Sequence, residues 1–217
     1  MDTHHEQLCG EVDKIFSKYP EMVDHRKNYP WLTGALGDPY SRIWFLAENP
    51  SLTQLERAHN PGGGAMSPEA QWFASKGDRL FRNGLILAGF KDPPWNASGG
   101  WHCYITNVIK GADRAEKWNV KDAYFHRKQA LKWLPVLRWQ LEISNPKLIV
   151  VMGNKVEKLI KYLINSGLLK FPETAKIHHY SYIAFRPEGT KGPMHPDRIE
   201  NYNSSLMKIR RQFMAIK

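Results

Sequence analysis

The sequence predicts an α/β fold, a three-layer αβα sandwich around a short, mostly parallel four-stranded sheet. Three observations point there. Short apolar runs, Ile43-Trp44-Phe45-Leu46 and Leu148-Ile149-Val150-Val151, each end in a turn signal, as buried strands do. Stretches with apolar residues at helical spacing fall between those runs. The alternation of strand and helix then favours parallel strands joined by right-handed crossovers.

Taken in order, Glu6 to Lys18 carries Leu8, Val12, Ile15 and Phe16 at helical spacing. Pro20, Pro30 and Pro39 punctuate a loop holding Tyr29 and Trp31. The first strand covers about residues 42–47. It breaks at Glu48-Asn49-Pro50-Ser51, because Pro50 cannot continue a ladder and pushes Asn49 out of the helical region. Residues 51–71 read as loop. The triplet Gly62-Gly63-Gly64 lacks the Gly-Lys-Ser/Thr ending of a phosphate loop. Ser67 suits an N-cap, Gln71 to Leu87 has helical periodicity, and Gly89 suits a C-cap. After a loop at 91–100, Trp101 to Lys110 is the second strand. Ala123 to Ile143 is a helix interrupted at Pro135, with Leu131, Leu134, Leu137 and Leu141 facing one side. Lys147 to Met152 reads as a strand buried on both faces. Gly153-Asn154 turns it into a helix, Lys155 to Ser166, closed by Gly167. Lys176 to Phe185 is the fourth strand, with His178 and His179 near its start. A basic helix runs from Pro196 to Met214.

At 217 residues the chain fits one domain, with a core over about 40–186. Hydrophobic residues make up 42%, enough for a real core. With 31 Lys+Arg against 21 Asp+Glu, the net charge of +10 favours a polyanionic partner. Cys9 and Cys103 support neither a disulfide framework nor a four-thiolate metal site. No apolar run approaches the roughly 18 residues of a membrane helix. The start MDTHHEQLCGEV lacks the basic and apolar regions of a secretory signal. The expectation is a reducing intracellular setting, cytoplasmic or nucleoid-associated, with no membrane partner.

In an open parallel sheet, ligands bind at the carboxyl ends of strands. Glu48 and Asn49 sit at such an end, as does Asn107. The alternative is that each is a polar residue closing a core strand.

Three strand ends, Ala47-Glu48-Asn49-Pro50-Ser51, Thr106-Asn107-Val108-Ile109-Lys110 and His179-Tyr180-Ser181-Tyr182, resemble in order and spacing the motifs of the uracil-DNA glycosylase superfamily. Gln71 to Leu80 and Gln140 to Gly153 extend the resemblance over roughly residues 40–186. The sequence departs from the family's pattern at several positions. Ala47 and Ser51 replace glycines, Asn49 stands where the most active members carry Asp, and Tyr180 stands where Pro is expected. Trp133 falls where iron–sulfur members have a cysteine, so no cluster and no cofactor is expected.

The resemblance implies a DNA glycosylase that flips out uracil, or a related deaminated base, and hydrolyses its N-glycosidic bond in base excision repair. It implies base-binding positions at Asn107, Phe73 and Ala47. A carboxamide at Asn107 can face the N3–H and O4 edge of uracil, and Phe73 would stack on the base, worth about 1–3 kcal/mol. It implies His179 as the donor to the departing base, with His195, in Met194-His195-Pro196, as the rival. One such donor is typically worth about 3–4 kcal/mol. Asn49 and Glu48 compete for the water: Asn49 could orient it, and Glu48 is the nearby carboxylate that could act as a base. Ile183, Phe185 and Arg186 are candidates for a wedge or backbone contact, with Lys110 and Ser181. Lys191, Arg198, Lys208, Arg210 and Arg211 could neutralise phosphates. No lysine nucleophile stands at the motifs, so the enzyme reads as monofunctional; it needs no metal, and a monomer is expected. A nucleic-acid-binding module without catalysis, on the same scaffold, is the second reading.

Overall fold

Side chains along the central strands point alternately to two sides, and both sides are apolar, so helices must cover both faces. The computed structural model describes residues 3–29, 32–58, 76–184 and 196–216. In chain order these form α1 (Thr3–Lys18), a 3-10 turn (His25–Lys27), β1 (Ala35–Gly37), β2 (Ile43–Ala47), α2 (Leu52–Ala58) and α3 (Lys76–Leu87). There follow β3 (Tyr104–Asn107), α4 (Ala115–Trp118), α5 (Ala123–Ser144), β4 (Leu148–Met152), α6 (Asn154–Asn165), β5 (Glu173–Ile177), α7 (Ser181–Ala184) and α8 (Pro196–Ala215).

Trp44, Leu46, Tyr104, Ile149 and Val151 pack with Leu8 and Val12 of α1, Trp133 and Leu137 of α5, and Leu159 and Leu163 of α6. Ile43, Phe45, Ile105, Leu148 and Val150 face the other way, against Phe81 and Leu85 of α3 and Leu206 and Ile209 of α8. This is the expected three-layer sandwich. The sheet order is β1-β3-β2-β4-β5, parallel except for β1, which pairs antiparallel with β3. Among the described residues it therefore has five strands where four were expected. The extra one is a three-residue edge strand inside the proline-punctuated loop, too short to show an alternating pattern.

Further expectations are corrected. Pro135 does not interrupt α5, which runs through it for 22 residues. An internal proline costs about 3 kcal/mol. Burying Trp133, Leu134, Val136 and Leu137 outweighs that, at about 1.5–3 kcal/mol per side chain. Leu131 is exposed, and the buried stripe runs through the expected Leu134 and Leu137 together with Trp133 and Val136. The fourth strand is not 176–185 but Glu173–Ile177, a polar edge strand, and Ser181–Ala184 is a helical turn. The amides of Tyr182 and Ile183 donate to the carbonyls of His179 and Tyr180, which ends the ladder there. Helices α2 and α4 lie in stretches read as loop or left unassigned.

β3 joins β2 on one side and β4 joins it on the other. That reversal splays the connections at the carboxyl ends of β2 and β4, which is where such sheets bind ligands.

Candidate active site

A cavity of about 340 Å³ opens at this switch point. Its lining combines Glu48, Asn49 and Ser51 after β2, Asp113 and Trp118 after β3, Gly153 to Val156 after β4, and His179 and Ser181 after β5. The volume lies within the range of about 300–1,000 Å³ typical of small-ligand sites. Of the expected site residues, Asn49, Glu48, His179 and Ser181 are brought together here.

His179 is held by its own turn. The Ser181 amide donates to Nδ1 at 3.2 Å, and the Ser181 Oγ lies 2.9 Å from the same nitrogen. A backbone N–H can only donate, so Nδ1 is the acceptor and the proton of the neutral ring belongs on Nε2. Burial pulls the pKa down from 6.5 to about 4, which keeps the ring neutral at physiological pH. The ring thus presents an N–H donor without a charge. His178 is exposed and stacks on Tyr182 at 4.5 Å.

Asn49 donates from Nδ2 to the carbonyl of Pro50 at 3.2 Å. That fixes the carboxamide and leaves its oxygen as an acceptor suited to orient a water. Glu48 is engaged elsewhere: one carboxylate oxygen lies 2.7 Å from Nδ1 of His126, a buried residue on α5. Sequence reasoning missed His126, Asp113 and Trp118. For His126 a signal existed: a histidine in the first turn of a helix sits against the dipole, which marks a place for a facing carboxylate.

The other expected positions fall differently. Asn107 is 1% exposed and does not line the cavity. Its amide nitrogen donates to the carbonyl of Gly34 (3.0 Å), and its amide oxygen accepts from the Asn49 N–H (3.3 Å), an orientation assigned from the hydrogen-bond pattern. In this arrangement Asn107 fixes the backbone of Asn49 instead of presenting its edge to a base. Ala47 is buried in the core, its carbonyl accepting from the Val108 amide. Lys110 is not a phosphate contact. It is buried, donates to Thr106 Oγ1 and the Asn107 carbonyl at 2.6 Å each, and burial holds its pKa well below that of an ordinary lysine. Ile183 is 1% exposed and packs in the core, so it is no wedge as it stands. Phe73, Phe185, Arg186, Lys191 and His195 lie outside the described residues. Arg198 and Arg210 lie over the rings of Tyr182 and Phe90, and Lys208 and Arg211 are exposed on α8.

Gly153 precedes α6 with φ 91° and ψ 167°, a region that essentially only glycine occupies. A Cβ there would meet the His179 Cβ at 3.3 Å. No side chain caps α6, and its first residues line the cavity, so the helix start favours negative charge there. Gly153→Ala is expected to cost about 1–3 kcal/mol of stability from backbone strain. It should also displace the His179 ring. Urea denaturation checks the first effect and the NMR shifts of the His179 ring the second, and a variant as stable as the parent would remove the strain argument.

Among the described residues, no group of three or more His, Cys, Asp or Glu side chains is placed to hold a metal, and no helix is long and apolar enough to cross a membrane. Cys103 is buried in the core on the α3 side of the sheet, and Cys9 lies on α1 on the other. Residues 35–206 match the family described as the Uracil DNA glycosylase superfamily. No curated protein matches the chain.

Proposed function

The chain belongs to the uracil DNA glycosylase superfamily, and from that premise we propose that it excises uracil, or a related deaminated base, from DNA by hydrolysing the N-glycosidic bond. The target nucleotide must leave the stack to reach the cavity. As the C1′–N bond breaks, its electron pair passes to the base, and negative charge collects on a base oxygen. The Nε2–H of neutral His179 donates to that oxygen. This differential contact forms mainly in the transition state. Water, oriented by the Asn49 carboxamide oxygen, adds to C1′ of the oxocarbenium-like sugar, and its proton leaves with the base or to solvent. The product is an abasic site, the entry point of base excision repair. The reaction is monofunctional, needing no lysine nucleophile.

One observation carries this reading: a neutral histidine, its Nδ1 occupied by Ser181, shares one cavity with Asn49. Base stacking falls to Phe73, with Asn107 holding Asn49 in register. Glu48 lies 2.7 Å from Nδ1 of His126, so we give it a supporting place in the site and leave the water to Asn49.

The test is direct. Uracil-containing single- and double-stranded oligonucleotides are incubated with the protein in chelator and then treated with alkali. Scission only where uracil stood supports the reading. Tight, salt-sensitive binding with no abasic sites would replace it with a non-catalytic binding module. Asn49→Ala is expected to lower the single-turnover rate about 10²-fold, the scale of a misplaced reactant. Abasic-product binding, measured by anisotropy, should be largely kept. Equal losses in rate and product binding would remove Asn49 from its role.

A further inference from the structure

A second concavity, of about 480 Å³, adjoins the cavity and shares Glu48 and Lys155 with it. It runs between the start of α5 and the length of α6. Its walls carry five cations: Lys121, Arg127, Lys155, Lys158 and Lys161. Glu48, already paired with His126, is the one acid that lines it among the described residues. Lys161 is shared with Glu157, whereas Lys121, Arg127 and Lys158 are in no ion pair among the described residues. All five cations are exposed, and Arg127 lies 4.9 Å over the ring of half-buried Tyr162. Lys155 to Lys161 spans about 9 Å along α6, at about 1.5 Å per residue.

We propose that this groove carries a single nucleic-acid strand away from the cavity, binding the phosphodiester backbone on one side of the target nucleotide. Three features choose that occupant. A row of cations matches a row of phosphates, and not one small anion. The Arg127–Tyr162 pair gives a flat surface on which a base can stack. The shared head at Glu48 and Lys155 lets a strand enter without crossing other surface. A single strand is the occupant because the groove shares Glu48 and Lys155 with the cavity that, on the glycosylase reading, takes the extruded nucleotide. The proposal rests on the glycosylase reading for the strand's point of departure.

The experiment uses the full chain and fluorescent oligothymidylates with one deoxyuridine: unextended, extended on the 5′ side only, or extended on the 3′ side only. Binding anisotropy is followed over a salt series in chelator, and excision is measured in parallel. The groove variant is Lys121→Gln/Arg127→Gln/Lys158→Gln. The charge-matched control is Lys14→Gln/Lys18→Gln/Lys27→Gln, on and just after α1. Extension on one side only should tighten binding and steepen its salt dependence. The groove variant should reduce that slope by roughly 2, about 0.7 for each phosphate of a single strand that is no longer neutralised. It should leave affinity and excision for the unextended strand unchanged. A groove variant that matches the parent on both extended strands would overturn the proposal, as would a control variant whose slope falls by the same amount. An equal gain from a duplex flank would overturn it too. One-sided, groove-dependent binding without excision would leave the groove standing and overturn the glycosylase reading. Excision with no groove effect would do the reverse.

Discussion

His179→Ala is expected to lower single-turnover excision by about 10²–10³-fold, the scale of removing one preorganised donor to a developing oxyanion. Substrate affinity should change little, because the charge that the donor meets is absent in the ground state. The pH dependence separates this from a merely structural role. With the folded pKa at about 4, the ring stays a neutral donor from about pH 5 to 8. The rate of the parent should therefore show no rise on acidification through 6.5. An imidazolium donor would give such a rise, and observing it would end the assignment.

The same shift has a stability consequence. The folded pKa lies below the ordinary 6.5, so the unfolded chain binds the proton first. The contribution of His179 to folding is complete above pH 6.5 and is lost as pH falls towards 4. Its full size is about 3 kcal/mol, at about 1.4 kcal/mol for each pH unit of the gap. In His179→Ala that slope should be absent from urea titrations taken across the window. A rate loss of the expected size with the slope intact would mean that the side chain acts from a more open position than the one described.

How much of this was legible in the sequence depended on whether the signal was local. β2 and β4 were readable because both faces of each strand are buried, so nearly every residue is apolar. β5 was not, since an edge strand may be polar; Glu173, Thr174 and Lys176 face solvent. The neighbouring Ile177–Tyr182 stretch mimicked a strand because its apolar and aromatic residues serve a tight turn. At the site, Asn49 was legible from the break after β2, whereas His179 came from the resemblance of His179-Tyr180-Ser181 to a family motif and not from the turn that holds it. The partnership of Asn107 was not legible, because Gly34 lies 73 residues away along the chain and only the β1–β3 pairing brings its carbonyl close. Likewise a histidine in the first turn of α5 hinted at a facing carboxylate, but nothing local pointed to Glu48 as that group.

Tyr180, which stands where the family pattern has proline, is explained by the layer beneath it, and that layer carries the largest expected stability effect. Its ring stacks on Phe81 of α3 at 5.7 Å and 14°, beside the ring of His179. Gly77 of α3 lets the turn approach: a Cβ there would lie 3.0 Å from the Tyr180 carbonyl. The next residue, Asp78, forms an ion pair at 3.0 Å with Arg82 one helical turn on, the side chains being 6% and 0% exposed. Burial pushes the Asp78 carboxyl up, and the Arg82 guanidinium opposes that. The pair's charges also act on Tyr180. Breaking a buried ion pair by removing one partner typically costs about 3–5 kcal/mol, which is the loss expected for Arg82→Leu, whereas replacing both partners with apolar residues is often neutral. Asp78→Leu/Arg82→Leu should therefore recover most of the loss in urea denaturation. Because α3 supports the turn that aims His179, excision should fall in the single variant and return in the double. If the double variant is as unstable as the single, the pair is not the unit that holds α3 to the turn, and the position of His179 must depend on other contacts.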